Sequence, residues 1–361
     1  MAFVKAFCPF LFLSVATLAF AAPDAFAQTG GEAVSRALNP DIGVNFLGGY
    51  RNSTHHHESV SGGLSNGLHF EEAELQFSAD VDPYLKANAL FALAPEDGEY
   101  VFEPEEVYLE TLSLPSITLR AGKFKSAVSR HNELHTHAYP FLDAPLIEES
   151  LLGGEGLNDV GISAAILLPT PWFSEVTGQV FAASNDVSFG APELVDTLQV
   201  IRLKNLWDLN DDTTLEWNLG GAIGPNQWGG NTLIGTASLT GKWRPSVLGK
   251  YRSLVVHAEY LVGRRENRPQ DPVAGGVAAW IQYQLAQRWW VQARSEWTGM
   301  PDLDAEPNQR KQSLMVAFAP SEFSVFRAQY DHLGVAGEAE SDHRLSLQWN
   351  ISIGAHPAHS Y

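Results

Sequence analysis

The histidines are the residues of this sequence best suited to binding a ligand, because they occur in groups. Neutral imidazole is a common ligand of zinc, copper and nickel. One interpretation is therefore a divalent-metal site, with zinc as its ion, built from two clusters, His55, His56 and His57, and His131, His135 and His137. In a loop, His135 or His137 can turn toward Glu133 or Asp143. No spacing here matches a closed zinc site, so solvated loop histidines are the alternative interpretation.

Two pairs of neighbouring polar residues have the composition of a catalytic pair. His257 and Glu259 are two residues apart, and Asp331 directly precedes His332. Neither pair is accompanied by a nucleophile motif such as G-x-S-x-G, and polar residues that share one face of a strand are expected without catalysis. We therefore predict that the protein is not an enzyme.

The N-terminal residues have the order of a secretory signal. An apolar run from Ala6 to Ala22 precedes Ala25-Phe26-Ala27, which has the A-x-A pattern of a cleavage site. The only cysteine, Cys8, lies in this segment, so the exported chain is expected to contain no disulfide. The sequence is therefore divided into a signal peptide at 1–27, a short periplasmic segment at 28–40 and a folded domain at 41–361.

The overall charge excludes one class of partner. The chain has 42 Asp and Glu residues against 23 Lys and Arg residues, a formal net charge of -19. Nucleic acid requires basic patches that neutralise phosphates, so we predict no nucleic-acid binding. After residue 27 the sequence contains no apolar run long enough for a transmembrane helix.

From Asp41 onward, stretches of alternating polarity are separated by connectors rich in Gly, Pro, Asn and Asp. In the last stretch, Leu345 and Leu347 share one face while Arg344 and Ser346 share the other. A period of two residues indicates β-strands. The pattern predicts sixteen strands, at 41–51, 67–81, 84–94, 100–113, 116–125, 159–169, 173–183, 196–207, 213–223, 231–243, 251–263, 275–286, 288–299, 310–319, 322–332 and 342–354.

A soluble β-sandwich also alternates in this way, so the direction of the apolar face must be decided by other features. Short turns such as Asp82-Pro83 and Pro320-Ser321 alternate with longer connectors such as 52–66 and 184–195, which is typical of outer-membrane barrels. Aromatic residues gather near predicted strand ends, as at a membrane interface. They are Trp172, Phe173, Trp207, Trp243, Tyr251, Trp289, Trp290 and Trp297. The sequence therefore predicts an all-β, antiparallel transmembrane β-barrel with its apolar face toward lipid.

One connector, 126–158, is long and does not alternate, yet it contains enough apolar residues to pack inside the barrel. Its flanking segments Arg120–Lys125 (RAGKFK), Gly153–Leu157 (GGEGL) and Asp159–Gly161 (DVG) resemble those of the general and phosphate-selective porins. In that family the third loop of a sixteen-stranded barrel narrows the pore. The resemblance implies a constriction formed by Arg130, Glu133, Asp143, Glu148 and Glu149. It also implies passive diffusion of small hydrophilic solutes or ions, outer-membrane lipid around the barrel, and a homotrimer.

The polar face of the predicted strands carries more acids than bases. Its charged residues are Glu72, Glu74, Asp80, Glu106, Glu110, Glu216, Glu259, Glu296 and Asp331 against Lys86, Arg120, Arg294, Arg327 and Arg344. Because a low-dielectric wall focuses the field of its charges, this excess favours cations or neutral solutes. The alternative is that the carboxylates pair with the bases. The second predicted function is binding or uptake of a divalent metal through the histidine-rich loops, and a soluble periplasmic binding protein is the third.

Overall fold

The computed structural model describes residues 40–54, 66–96, 98–185, 187–190, 196–270, 272–300, 308–338 and 340–354. These residues form sixteen β-strands. They are β1 Asp41–Ser53, β2 Gly67–Asp80, β3 Leu85–Glu96, β4 Glu99–Thr111, β5 Ile117–Lys125, β6 Asn158–Leu167, β7 Phe173–Phe181, β8 Leu198–Asn210, β9 Thr213–Pro225, β10 Asn231–Trp243, β11 Leu254–Arg265, β12 Val273–Ala286, β13 Trp289–Thr298, β14 Gln309–Ser321, β15 Ser324–Val335 and β16 Asp342–Gly354.

Every strand predicted from the alternation is present, and the differences lie at the turns. The turn predicted at 208–212 is shorter in the structure because β8 continues to Asn210. Asp208 pairs with Thr214 and Asn210 with Thr213, so only Asp211 and Asp212 connect β8 to β9. In a tight hairpin, polar residues next to the turn still belong to the strands. The alternation pattern assigns these polar residues to the turn, so it predicts a turn that is too long.

The strands form one closed antiparallel barrel. Each strand pairs with its neighbours in sequence, and β1 closes the barrel by pairing with β16. In β1, for example, Val44 is paired with Leu75 on one side and with Ile353 on the other. Closure satisfies the backbone hydrogen bonds of both terminal strands, so the sheet has no open edge. The predicted fold class is confirmed.

The two faces of the barrel differ in chemistry as the alternation predicts. Large apolar side chains such as Leu233, Leu314 and Ile353 are more than half exposed on the outer face. Polar side chains such as Thr240 and Ser313 are buried on the inner face. An outer surface of this kind is stable in hydrocarbon, where every backbone group is already paired within the sheet.

Aromatic residues at one end of the barrel contact one another across strands. The rings of Trp172 and Trp207 lie 5.9 Å apart, and Trp207 lies 6.2 Å from Trp217. Trp289 begins β13 and stacks on Phe318, with 4.6 Å between ring centroids. Side chains with an apolar body and a polar edge are suited to the boundary between lipid and water.

The connectors also follow the predicted alternation, with two exceptions, the β3–β4 connector and residues 244–253 between β10 and β11. Turns 211–212, 287–288 and 322–323 are short, whereas 54–66 and 182–197 at the other end of the barrel are long. The β3–β4 connector is brief at the end where the others are long, and Gly98 permits its tight turn by adopting a φ of 86°. In the described part of the chain, no helix has both the length and the apolar character needed to cross a membrane.

The longest connector, residues 126–157, is named loop 3. It contains two single-turn 3₁₀ helices, His131–Glu133 and Thr136–Ala138, and one short α-helix, α1, at Leu146–Leu152. Pro145 precedes α1, and Gly153 ends it with a φ of 88°, a conformation that favours glycine. These short elements keep loop 3 compact enough to fit inside the barrel.

Candidate pore constriction

Loop 3 is held inside the barrel first by apolar packing. Its residues Val128, Leu151 and Leu152 are completely buried, and they share one hydrophobic cluster with Ile234 of β10 and Leu261 of β11. The inner face of these strands is therefore apolar where the loop covers it. Burying each leucine contributes about 2 kcal/mol, whereas ordering the backbone costs about 1–2 kcal/mol for each residue, so apolar packing offsets only part of the entropy lost by ordering the loop.

A close backbone approach fixes the start of loop 3 against the wall. Thr236 Oγ1 of β10 donates a hydrogen bond of 2.6 Å to the carbonyl oxygen of Val128. Gly220 of β9 faces the same carbonyl, and a Cβ atom at that position would collide with it and with Thr236 Oγ1. Glycine is thus required at 220 by the space that the loop occupies.

Polar groups then connect loop 3 to strands around the barrel. Each contact joins a loop residue to an inner-face residue of a different strand or pair of strands. The side-chain pairs are Arg130 with Glu216 of β9, Glu133 with Arg202 of β8, His135 with Glu105 and Glu106 of β4, His137 with Glu74 of β2, and Asp143 with Arg294 of β13 and Lys311 of β14. Loop 3 therefore crosses the lumen and narrows it.

On the β2–β4 side the lumen is acidic. Glu72 and Glu74 of β2 and Glu105 and Glu106 of β4 form a surface that we name the acidic wall. The imidazole of His135 lies between two of its carboxylates, with Nδ1 3.1 Å from Glu105 and Nε2 3.1 Å from Glu106. Burial lowers the pKa of His135, but these two hydrogen bonds outweigh burial and raise it to about 10. A protonated ring that donates to both carboxylates is the stable form.

On the β13–β15 side the lumen is basic. Arg294, Lys311 and Arg327 form a surface that we name the basic wall. Asp143 of loop 3 is bonded to Arg294 and Lys311, and Gln329 Nε2 donates to it from 3.2 Å. Burial raises the pKa of Asp143, but the two cations outweigh burial and hold it well below its usual range. Arg327 also donates to the Tyr139 carbonyl at 2.7 Å. The tip of the loop is thus anchored by charge-assisted hydrogen bonds.

Between the two walls, α1 places a carboxyl against another carboxyl. Glu148 is buried beside Glu259 of β11, and its pKa is raised well above the ordinary value by burial and by the negative charge of Glu259. His131 lies nearby and packs at a tilt against Tyr139, with 4.5 Å between ring centroids. Burial lowers the pKa of His131 to about 3, so this imidazole is neutral. Two carboxyl groups in contact, such as those of Glu148 and Glu259, usually share one proton.

The partners predicted for the histidines are wrong. Glu133 and Asp143 turn away from His135 and His137 and pair instead with cations of the walls, Arg202 for Glu133 and Arg294 for Asp143. A buried arginine or lysine without an anion is strongly destabilising, whereas a histidine can stay neutral, so the two acids pair with the cations of the walls. His131 is also separated from His135, because the chain between them turns toward different strands. His55, His56 and His57 lie outside the described residues.

The residues predicted to line the lumen lie on the inner face, as the alternation indicates. Their role in a pore remains a prediction. Loop 3 or its direct partners bring together Glu72, Glu74, Glu106, Glu216, Glu259, Arg294, Glu296 and Arg327. Asp331 and Arg344 are buried on the inner face near the basic wall. Glu110 and Arg120 pair with each other at 2.8 Å, and Asp80 is exposed at the end of β2. Of the loop residues, Glu149 is partly buried, and burial raises its pKa to about 7.

Several charged residues of the inner face were not among those predicted. Glu105 lies inward because a β-bulge follows Leu90, which pairs with Glu106 while Phe91 pairs with Pro104. Pro104 within a strand is the sequence signal that marks such a bulge. Three bases, Lys125, Arg202 and Lys311, are also buried inward. They reduce the excess of acids on which the predicted cation preference rests.

Comparisons with known proteins agree with the architecture. No protein-family model matches the chain. An uncharacterized protein of Aquifex aeolicus (strain VF5) is 28% identical over 352 aligned residues, which cover 84% of this chain and 72% of the relative. This likeness extends over most of both chains.

Solved outer-membrane proteins share the fold at low sequence identity. OprB of Pseudomonas putida, at high pH, has a TM-score of 0.61 at 9% identity, covering 89% of this chain and 96% of its own. Salmonella typhi OmpF in complex with daunomycin has a TM-score of 0.59 at 9% identity, with 88% and 99% covered. The anion-selective porin from Comamonas acidovorans has a TM-score of 0.58 at 10% identity, with 86% and 98% covered. The chain therefore has the closed barrel fold of the outer-membrane porins.

Proposed function

We propose that the protein is an outer-membrane channel through which small hydrophilic solutes or ions diffuse passively. The observation that carries the proposal is a closed sixteen-strand barrel whose inner face is polar and charged and whose lumen is crossed by loop 3. A barrel with an apolar outer face can be solvated by outer-membrane lipid. A polar inner face, by contrast, is stable only when water or polar protein groups contact it.

The width of the passage is set by loop 3. Because its polar contacts reach both the acidic and the basic wall, the space left for solute lies beside the loop rather than through an empty lumen. We infer that the channel admits ions and small polar molecules and excludes larger ones. Catalysis has no place in this proposal, since the lumen side chains that resemble catalytic pairs are used in packing and hydrogen bonding. His257, for example, is bonded to Thr240 at 2.8 Å.

The sign of the ion preference is the finer part of the proposal. The acids of the acidic wall support a preference for cations, and the bases of the basic wall act against it. The net preference is expected to be weakly cationic, because the sequence carries far more acids than bases. The solved barrels of this fold include an anion-selective porin, so the fold does not determine the sign.

Export and assembly belong to the same proposal. Residues 1–27 are proposed to be a removed signal peptide, and the porin fold suggests a homotrimer. Light scattering of the detergent-solubilised mature protein measures the number of subunits, and N-terminal sequencing of the protein from the outer membrane locates the cleavage site. A monomer, or an uncleaved terminus, refutes the corresponding part without affecting the channel.

Planar-bilayer recording of the purified protein tests the channel directly. Stepwise conductance is expected, and the reversal potential across a salt gradient should have the sign of a cation preference. Anion preference contradicts the inference from the charges, and the absence of any conductance contradicts the channel. Uptake of metal, the second function predicted from the sequence, gains no support from the structural relatives and is not proposed.

A further inference from the structure

The acidic wall places four carboxyl groups close together. Its four carboxylates, Glu72, Glu74, Glu105 and Glu106, are all buried or nearly so. Within the described part of the chain, the one lysine or arginine in an ion pair with them is Lys125, 3.8 Å from Glu105. Loop 3 adds the rings of His135 and His137. A cluster of this kind is stable only with added protons or with a bound cation.

Three of these side chains converge on one point. A single ligand atom from each of Glu74, Glu105 and His135 lies within 4.8 Å of the other two. Zinc is held by imidazole nitrogen and carboxylate oxygen at about 2.0–2.2 Å, so the donors around one ion are separated by somewhat less than this spacing. To bind one ion, the three side chains rotate slightly, and His135 exchanges a ring proton and one of its two hydrogen bonds for the metal.

A second and independent observation is the state of two carboxylate oxygens. Glu74 Oε1 and Glu72 Oε1 are buried, and no N–H or hydroxyl group of the described residues donates to either of them; the two carboxyl groups are hydrogen-bonded to each other. Glu74 is only 1% exposed, and it lies beside Glu72. Two buried carboxyl groups in contact can share one proton. A bound cation takes the place of that proton and compensates both groups.

We propose that Glu74, Glu105 and His135 bind a divalent transition-metal cation of the zinc class, with Glu106 and His137 as neighbouring ligands. One imidazole with two or more carboxylates suits zinc, manganese or iron, whereas magnesium retains its waters and prefers oxygen ligands alone. The site joins β2, β4 and loop 3, so the bound ion ties the constriction loop to the wall. The site is independent of whether the barrel conducts ions.

Isothermal titration of the folded full-length protein in detergent with Zn²⁺ tests the site. Because other histidines can bind zinc, the background protein carries His55→Ala, His56→Ala, His57→Ala, His356→Ala and His359→Ala. We expect saturable binding of one ion in this background and none of Mg²⁺. His135→Ala and Glu105→Gln should each weaken binding by about tenfold or more. His257→Gln is the matched control, because it removes another buried lumen histidine, which lies beside Glu259. This variant should leave the affinity for zinc unchanged.

X-ray absorption of the zinc-loaded protein provides a second readout. The spectrum should show a nitrogen and oxygen shell at about 2.0–2.2 Å with imidazole scattering that His135→Ala reduces. If His135→Ala does not yield a folded barrel by circular dichroism, Glu105→Gln carries the test, because it preserves volume. The absence of binding in the background protein overturns the proposal. Binding that is unchanged in Glu105→Gln and in folded His135→Ala also overturns it.

Discussion

The acidic and basic walls attach the same loop in different ways. On the basic wall, Asp143 is surrounded by Arg294, Lys311 and Gln329, so its charge and its hydrogen bonds are satisfied by fixed protein groups. On the acidic wall, four carboxyl groups face one lysine and two histidine rings, and Glu72 and Glu74 are hydrogen-bonded to each other. One attachment is complete without a ligand, and the other depends on protons or an ion. A single loop thus combines a permanent anchor on the basic wall with an adjustable anchor on the acidic wall.

The largest effect is expected at the permanent anchor. Asp143→Ala removes one of the two anions that pair with the buried Arg294 and Lys311, and Glu296 remains as the other. Breaking a buried ion pair by removing one partner typically costs about 3–5 kcal/mol, and we expect the lower end of this range. Urea unfolding in detergent measures this as a fall in the free energy of unfolding. Asp80→Asn, a change at an exposed inner-face carboxylate, is the control and should stay within about 0.5 kcal/mol of wild type. A loss of less than about 1 kcal/mol for Asp143→Ala contradicts the description of this anchor.

A smaller loss is expected at the adjustable anchor. His135→Ala removes two charge-assisted hydrogen bonds, but Glu105 retains Lys125 and Glu106 retains the backbone N–H of Lys125. In the absence of divalent metal we expect a fall of about 1.5–3 kcal/mol in the free energy of unfolding. The exposed His343→Ala is the control. An effect larger than that of Asp143→Ala reverses the ranking of the two anchors.

The start of loop 3 offers a comparison that involves no charge. Gly220→Ala places a methyl group against the Val128 carbonyl and should destabilise the protein by about 1–3 kcal/mol. The adjacent Gly221→Ala has room, since its nearest atom, the Ile234 carbonyl oxygen, is 3.5 Å away. Denaturant midpoints of the two variants measure the difference. Equal midpoints indicate that the loop does not press on β9.

The smallest effect is a change in pH dependence at Glu148. Its pKa is raised in the folded state by burial and by Glu259, so the folded protein holds a proton that the unfolded chain releases above about 4.5, the ordinary glutamate value. Stability should therefore fall as pH rises above that value. Glu148→Gln should flatten this fall, and Glu322→Gln, at an exposed turn, should not. Melting temperatures across pH measure the slopes, and identical slopes for both variants count against the shared proton.

The sequence was sufficient to predict the barrel because its signal is local. Alternation along a strand such as β16 requires only that one face meets lipid and the other a polar interior. The inward position of the long connector also followed from its apolar residues. The partners inside the lumen did not follow, because His135 contacts residues about thirty positions earlier, and Glu105 faces inward only through a bulge. Arg202 was hidden for a different reason. It shares an inner face with Leu198 and Val200, so β8 is apolar on both faces near the loop.

If loop 3, attached to both walls, sets the width of a conducting lumen, releasing both attachments widens the passage. Single-channel conductance of wild type and of Asp143→Ala combined with His135→Ala measures this width. We predict discrete conductance in both, with larger steps and passage of larger neutral solutes in the double variant, whose strand content by circular dichroism is unchanged. Equal step sizes in two folded proteins contradict the role of the loop, and silence in both contradicts the channel itself.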